Sequence, residues 1–456
     1  MDLKGDEKPK RIRWPKSALV AMFGLVYGLW FLWHHLSTGA ELQTFERSLR
    51  QKGYPVAFVD LNDWYASVPS NQNAAVVYWD AFANLVPTDS PRFAALATNI
   101  WKVSLSLSAD FPELSPWEEL VASNRNVLDR LCRAMQLTES RYPLDFRYGA
   151  AVPLVHLGKI TLCSQLLFVE ALLRAARNDS EAAVQSILAN LALGDSLASE
   201  PVAQSHGCRS YCNRTALASL TLILNRTHLN DLQLRSLTNA FYDTELTSDV
   251  TGAFLGELCF GLRAEPRELI VGGEHSSLLA SLSGEILNAV LVLADREDAD
   301  KFFYGNTLWS YLNACRNPYP LRLQMAPNAR TVCNQAKRRG YLISACLLPR
   351  LDGILAADAE NIAGLRVIQT VLAIERYRLG HELNPPAKLR DLCPDFVAAV
   401  PQDPFDGRPL RYRLLADRYV VYSVGKDLQD NQGENRKEWQ GPNSPFDIGV
   451  TVKRRL

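Results

Sequence analysis

The sequence has no excess of charge of either sign. Lysine plus arginine and aspartate plus glutamate each number 49, giving zero formal net charge. That argues against a nucleic-acid binder, which carries a basic surplus to neutralise phosphates. The short motifs that announce a reaction are also absent. There is no Gly-rich phosphate loop, no dinucleotide fingerprint and no Gly-x-Ser-x-Gly nucleophile elbow. His381-Glu382 lacks the second histidine of a zincin, and Pro385 forbids the helix such a motif requires. No repeat of roughly 34 or 40 residues with a consistent consensus is found, which argues against a regular helical solenoid.

What the chain does have is one long apolar run. Ser17 to Leu36 forms twenty positions without a formal charge, rich in Leu, Val, Phe and Trp. As a helix rising about 1.5 Å per residue, it matches the ~30 Å hydrocarbon core of a bilayer. Lys4, Lys8, Lys10, Arg11, Arg13 and Lys16 precede it. Basic flanks stay on the cytoplasmic side, so the expectation is an N-terminus inside and the bulk of the chain outside. Trp14 lies at one end of the run, and Trp30, Trp33, His34 and His35 cluster at the other, as in an interfacial belt. The alternative is a cleaved signal peptide, for which Thr38 and Ala40 before Glu41 supply a small-x-small site. A soluble buried helix is the third reading, although no face of the run is polar.

At 456 residues the chain has room for two or three domains. An odd number of cysteines, nine, runs from Cys132 to Cys393, so they cannot all pair within one chain. Most, such as Cys163, Cys259 and Cys346, sit in apolar helical runs where a free thiol packs like a small hydrophobe. An amphipathic run from Glu41 to Lys52 follows the apolar stretch, and Asn71 or Asn73 can cap a helix carrying Val76, Val77, Trp79 and Phe82. Ser115-Pro116-Trp117-Glu118 is a helix start with a capping box, leading into Leu120, Val121, Val127, Leu128, Leu131 and Met135 at helical spacing. Further helices are expected over 155–177, 180–197, 210–224, 231–242, 250–262, 277–294, 299–312 and 362–379, with Gly380 stopping the last. Two β-rich runs, 410–415 and 419–424, read as a hairpin across Ala416-Asp417. The expected fold is therefore mainly α. A cytoplasmic tail (1–16) precedes a transmembrane anchor (17–36) and a helical connector (37–90). An irregular all-helical extracytoplasmic body (91–357) and a small α+β module with a β-hairpin (358–456) follow.

The C-terminal module carries a recognisable order of residues. A helix ending Glu375-Arg376-Tyr377-Arg378 leads through Gly380, Pro385, Leu389 and Leu392. Pro401-x-Asp403-Pro404-Phe405-Asp406-Gly407-x-Pro409-Leu410-x-Tyr412 follows, then Tyr419-x-Val421-Tyr422-Ser423-Val424-Gly425-x-Asp427. Over 362–449 this resembles the globular half of type II secretion pseudopilins. The whole arrangement resembles uncharacterised single-anchor bacterial envelope proteins. The resemblance implies a helix leading through an Asp-Pro-aromatic turn into a small sheet, and a secretion-related setting. It also implies calcium in the loop after the last strand, where Asp427 matches by position and Asp430 and Asp447 are the other available carboxylates. Calcium takes six to eight oxygens at about 2.3–2.6 Å, which a returning acidic loop can supply. The competing reading is a solvated polar loop, which Asn431, Gln432, Gly433, Glu434 and Asn435 fit.

Other chemistry-bearing residues are sparse. His206-x-Cys208-x-x-x-Cys212 is a compact metal-like cluster without a fourth ligand nearby, and its cysteines fall one helical turn apart on a core face. Ser423-Val424-Gly425-Lys426 fits Ser-x-x-Lys, but that motif needs its serine at a helix start, not after a strand. His156, His228, His275 and His381 stand alone, and Glu257 and Glu285 lie among apolar positions. No catalytic residue is assigned. The sequence points to a single-pass protein of the bacterial inner membrane. The expectation is that membrane lipid contacts Ser17 to Leu36 and that a periplasmic body binds or scaffolds a protein partner of unidentified kind. The alternative is an envelope hydrolase whose site is assembled from distant residues. A hydrolase requires a deep pocket with convergent polar groups, whereas a scaffold requires a shallow apolar groove.

Overall fold

A computed structural model describes residues 16–86, 115–265, 296–434 and 446–453. The helix expected over 277–294 lies outside these residues, and the Ser115 side chain of the expected capping box is not among those described. Helix α1 (Lys16–Gln51) joins the apolar run and the amphipathic run into one unbroken helix of 36 residues. That is about 54 Å at 1.5 Å per residue. Its two halves differ. Leu42 and Leu49 are buried, Phe45 meets Phe302 edge-on at 5.8 Å, and Glu46 pairs with Arg263 at 2.9 Å. Met22, Leu25, Val26 and Leu29 instead leave more than half of their surface open. The remaining side chains of the apolar run mostly lie outside the described set.

The chain then folds as helical hairpins. After α2 (Phe58–Trp64) comes α3 (Ala74–Ala83), capped as expected by Asn73, whose side chain accepts the Ala75 N–H at 3.0 Å. The single helix expected from Ser115 is two, α4 (Ser115–Ser123) and α5 (Arg125–Ala134). Asn124 divides them because its amide turns to backbone. Nδ2 donates to Leu120 O at 2.9 Å, and Oδ1 accepts the Val86 N–H at 3.1 Å. Helices α6 (Val155–Ala176), α7 (Ser180–Asp195), α8 (Ala203–Leu224) and α9 (Asp231–Leu246) build the main core. Among the described residues α6 is long and apolar enough to cross a membrane, but two-thirds of that stretch is buried inside the protein, as a core helix is. Arg209 on α8 is buried and fully engaged, reaching Asp195 and the Thr244 and Thr247 carbonyls, so it locks the ends of α7 and α9 to α8.

A second core gathers the packed half of α1 with α10 (Thr251–Arg263), α11 (Glu297–Cys315), the short α12 (Leu321–Met325), α13 (Ala329–Arg339) and α14 (Leu342–Leu347). The 30-residue helix α15 (Leu351–Gly380) serves both cores. Leu351 and Leu355 belong to the second, and Ala359, Ile362, Ile368 and Ile374 to the first. Position 358, where the C-terminal module was expected to begin, lies inside this helix.

Strands β1 (Arg411–Leu414), β2 (Arg418–Ser423) and β3 (Ile448–Lys453) form an antiparallel sheet in the order β1-β2-β3. The hairpin turns across Ala416-Asp417, with Leu415 N–H donating to Arg418 O at 2.8 Å. The third strand was not anticipated, although Ile448-Gly-Val-Thr-Val alternates as a strand does. Its outer edge is closed by Asn225, beyond the end of α8, which donates to Thr451 O at 3.0 Å and accepts the Lys453 N–H at 2.7 Å. Tyr419 in the central strand donates to Glu375 on α15 at 2.5 Å, while Arg378 pairs with the same carboxylate at 2.8 Å. Tyr419, Val421, Val450 and Val452 share the main core with α15.

Candidate functional site

The Asp-Pro-aromatic turn and the Ser-x-Gly strand end meet at one buried carboxylate. Asp403 Oδ1 accepts the Phe405 N–H at 3.0 Å and the Ser423 hydroxyl at 2.8 Å. Its Oδ2 accepts the Val424 N–H at 2.9 Å and Arg411 Nη1 at 2.8 Å. Four donors compensate a fully buried charge. Gly425 follows because φ is +69° there and a Cβ would come within 2.6 Å of Phe446 O. Ser423 is thus spent on Asp403, and no lysine-activated nucleophile forms.

The acidic loop lies just beyond. Asp427 Oδ1 accepts the Gln429 N–H at 3.3 Å, and Asp430 Oδ1 accepts the Tyr422 hydroxyl and the Gln432 N–H at 3.0 and 2.9 Å. Asp447 is buried and accepts the N–H groups of Asn431 and Gly433 at 3.3 and 2.6 Å. Burial raises the Asp447 carboxyl to about 6, with Asp430 and Asp427 adding to the rise against those two hydrogen bonds. The three carboxylates are electrostatic neighbours, but each is turned to N–H or O–H donors of its own loop. Among the described residues no group of three or more His, Cys, Asp or Glu stands close enough to hold a metal.

Two buried polar clusters escaped the sequence reading. In the first, His156 Nε2 lies 3.1 Å from both oxygens of Glu200, Ser205 donates to Glu200 at 2.5 Å, and Tyr142 stacks on the imidazole at 4.5 Å. The serine faces the carboxylate rather than the histidine, so the order of a nucleophile, base and orienting acid is not made. In the second, Asp358 sits where α15 passes between the cores. Tyr319 donates to its Oδ2 at 2.5 Å, Arg322 Nη1 lies 3.2 Å from the same oxygen, and His206 Nε2 stands 3.2 Å from Oδ1, off the line of a hydrogen bond. Burial pushes Asp358 up, but His206, Tyr319 and Arg322 outweigh it and hold the carboxyl below its ordinary range. Burial and Asp358 raise the Tyr319 hydroxyl far above its usual value. The signal in the sequence is His206, whose spacing to Cys208 and Cys212 suits a core face better than a metal or a redox pair. Its cluster mates Cys208 and Cys212 turn to each other, with Cys208 also 3.7 Å from Thr161 Oγ1 and Cys212 packed against Gly194. All nine cysteines are free.

One concave feature on the surface is different in kind. An open groove runs between the Ala387–Arg390 segment, the turn at Ala398–Val400 and the approach to β1, with Leu389, Leu410 and Tyr412 along it. Its floor is apolar, and Lys388 and Arg390 flank it. It holds no acid–base pair. Compared with family models, curated proteins and solved structures, the chain matches none.

Proposed function

We propose that this chain is a membrane-anchored extracytoplasmic binding or scaffolding protein of the bacterial cell envelope, with its N-terminus in the cytoplasm. The observation that carries the reading is the two-sided character of α1. One end is packed into the second core through Leu42, Phe45 and Leu49, while the same helix continues outward with Met22, Leu25, Val26 and Leu29 uncovered. Apolar side chains in such a row cost free energy in water and gain it in lipid. A continuous helix also transmits the orientation of the anchor directly to the body.

Binding is favoured over hydrolysis by the state of the polar groups. Both polar clusters are buried inside the protein, whereas the groove is open and apolar. The pseudopilin-like order over 362–449 supports a secretion-related assembly as the setting. The compartment is testable through Cys346, which is exposed in the second-core region. A membrane-impermeant maleimide added to cells with a permeabilised outer membrane should label it. Labelling only after the inner membrane is broken would place the body in the cytoplasm and overturn the reading.

A further inference from the structure

We infer that the groove beside β1 receives an extended, acidic peptide segment of a partner protein. The inference rests on the binding-protein reading and names the partner class. Three observations converge. The groove is lined by two cations, Lys388 and Arg390, and by no acidic side chain. Both cations are exposed, and neither has an ion-pair partner among the described residues. The nearest carboxylate in sequence, Asp391, is turned to the Lys388 backbone N–H at 2.9 Å.

The backbone N–H groups of Ala398, Ala399 and Val400 also have no hydrogen-bond partner among the described residues. Exposed backbone donors in the lining suit the carbonyls of an extended chain. The third element is apolar lining, since Ala387, Ala398 and Ala399 are exposed and Val400 and the Tyr412 ring half-buried above the buried Leu389 and Leu410. Tyr412 is held in place by its hydroxyl, which donates to Pro386 O at 2.8 Å. A small anion would leave that apolar floor wet. A neutral apolar peptide would leave the two cations uncompensated. Alternating acidic and apolar residues satisfy both, with carboxylates at the rim and alkyl groups on the floor.

The test uses the full chain in a neutral detergent and a fluorescein-labelled peptide of alternating aspartate and leucine, read by fluorescence anisotropy. Binding should weaken with salt. It should fall by about tenfold or more in the Lys388→Glu/Arg390→Glu variant, which should instead bind a peptide of alternating lysine and leucine. Both positions are exposed, so an unchanged melting temperature verifies that the variant is folded. No binding of the acidic peptide, or binding indifferent to the charge reversal, overturns the inference. So does a dimer, or adhesion to phosphatidylglycerol vesicles, that the reversal abolishes, because the groove then serves a second copy or lipid. Retention of the protein in membranes is unaffected by any of these outcomes, so failure here is distinguishable from failure of the anchored-scaffold reading.

Discussion

Ser423 donates its hydroxyl to Asp403 at 2.8 Å across the base of the C-terminal sheet. The bond joins the turn before β1 to the end of β2, and it makes two separate sequence motifs into one structural device. Asp403→Ala leaves Ser423 and two backbone N–H groups without their acceptor, and Arg411 with Asp406 alone. The expected loss is about 3–5 kcal/mol. Ser423→Ala removes one donor while the carboxylate keeps three, and about 1 kcal/mol is expected. Urea denaturation of both variants measures the difference. Equal effects would contradict the placement of Asp403 at the centre.

Asp358 gives an acid-side signature. Its folded-state carboxyl is held below the unfolded value, so its contribution to stability is present above about pH 4 and is lost as pH falls through the depressed folded value. Asp358→Asn should cost stability at pH 7, since it leaves Arg322 and His206 facing a neutral amide. The gap between variant and parent should narrow below pH 4. Thermal melts across pH 2–7 read this directly, and a pH-independent gap would contradict it.

Asp447 should behave in the opposite sense. Its carboxyl is raised to about 6 in the folded state. The protonated form is favoured by folding, so stability is full below about pH 4 and declines as pH rises to about 6, by something on the order of 1–3 kcal/mol. The difference between parent and Asp447→Asn should therefore move in favour of the variant over that window and stay level above it. Calcium at millimolar concentration should leave the melting temperature unchanged, because among the described residues no three carboxylates converge on one point. A calcium-dependent rise that disappears in Asp427→Ala would contradict this.

The two halves of α1 should respond differently to truncation. Leu49→Ala opens a cavity in the second core and should destabilise the body by about 2–4 kcal/mol. Leu25→Ala, at a largely exposed position, should leave body stability within about 0.5 kcal/mol. Equal losses would mean that the outer half packs on the protein.

The helical body was legible because its signals are local. Asp231 to Tyr242 and Val250 to Leu262 carried helical spacing, and Asn73 carried its cap. The hairpin was legible from β-branched and aromatic runs around Ala416-Asp417. What escaped depends on distance in sequence. Asn124 divides a helix by bonding Val86, Asn225 closes a strand edge more than two hundred residues away, and Asp358 gathers partners from α8 and from the turn before α12. No local pattern encodes such pairs. The groove was equally hidden, since its walls come from three loops whose composition is ordinary.

The most direct measurement is alkaline carbonate extraction of native membranes, comparing the parent with Leu25→Lys/Leu29→Lys. The parent should remain in the pellet, and the variant, carrying two charges at uncovered positions of α1, should be released or fail to insert while its body still folds. Recovery of the parent, at full length, in the soluble fraction would contradict an anchored protein.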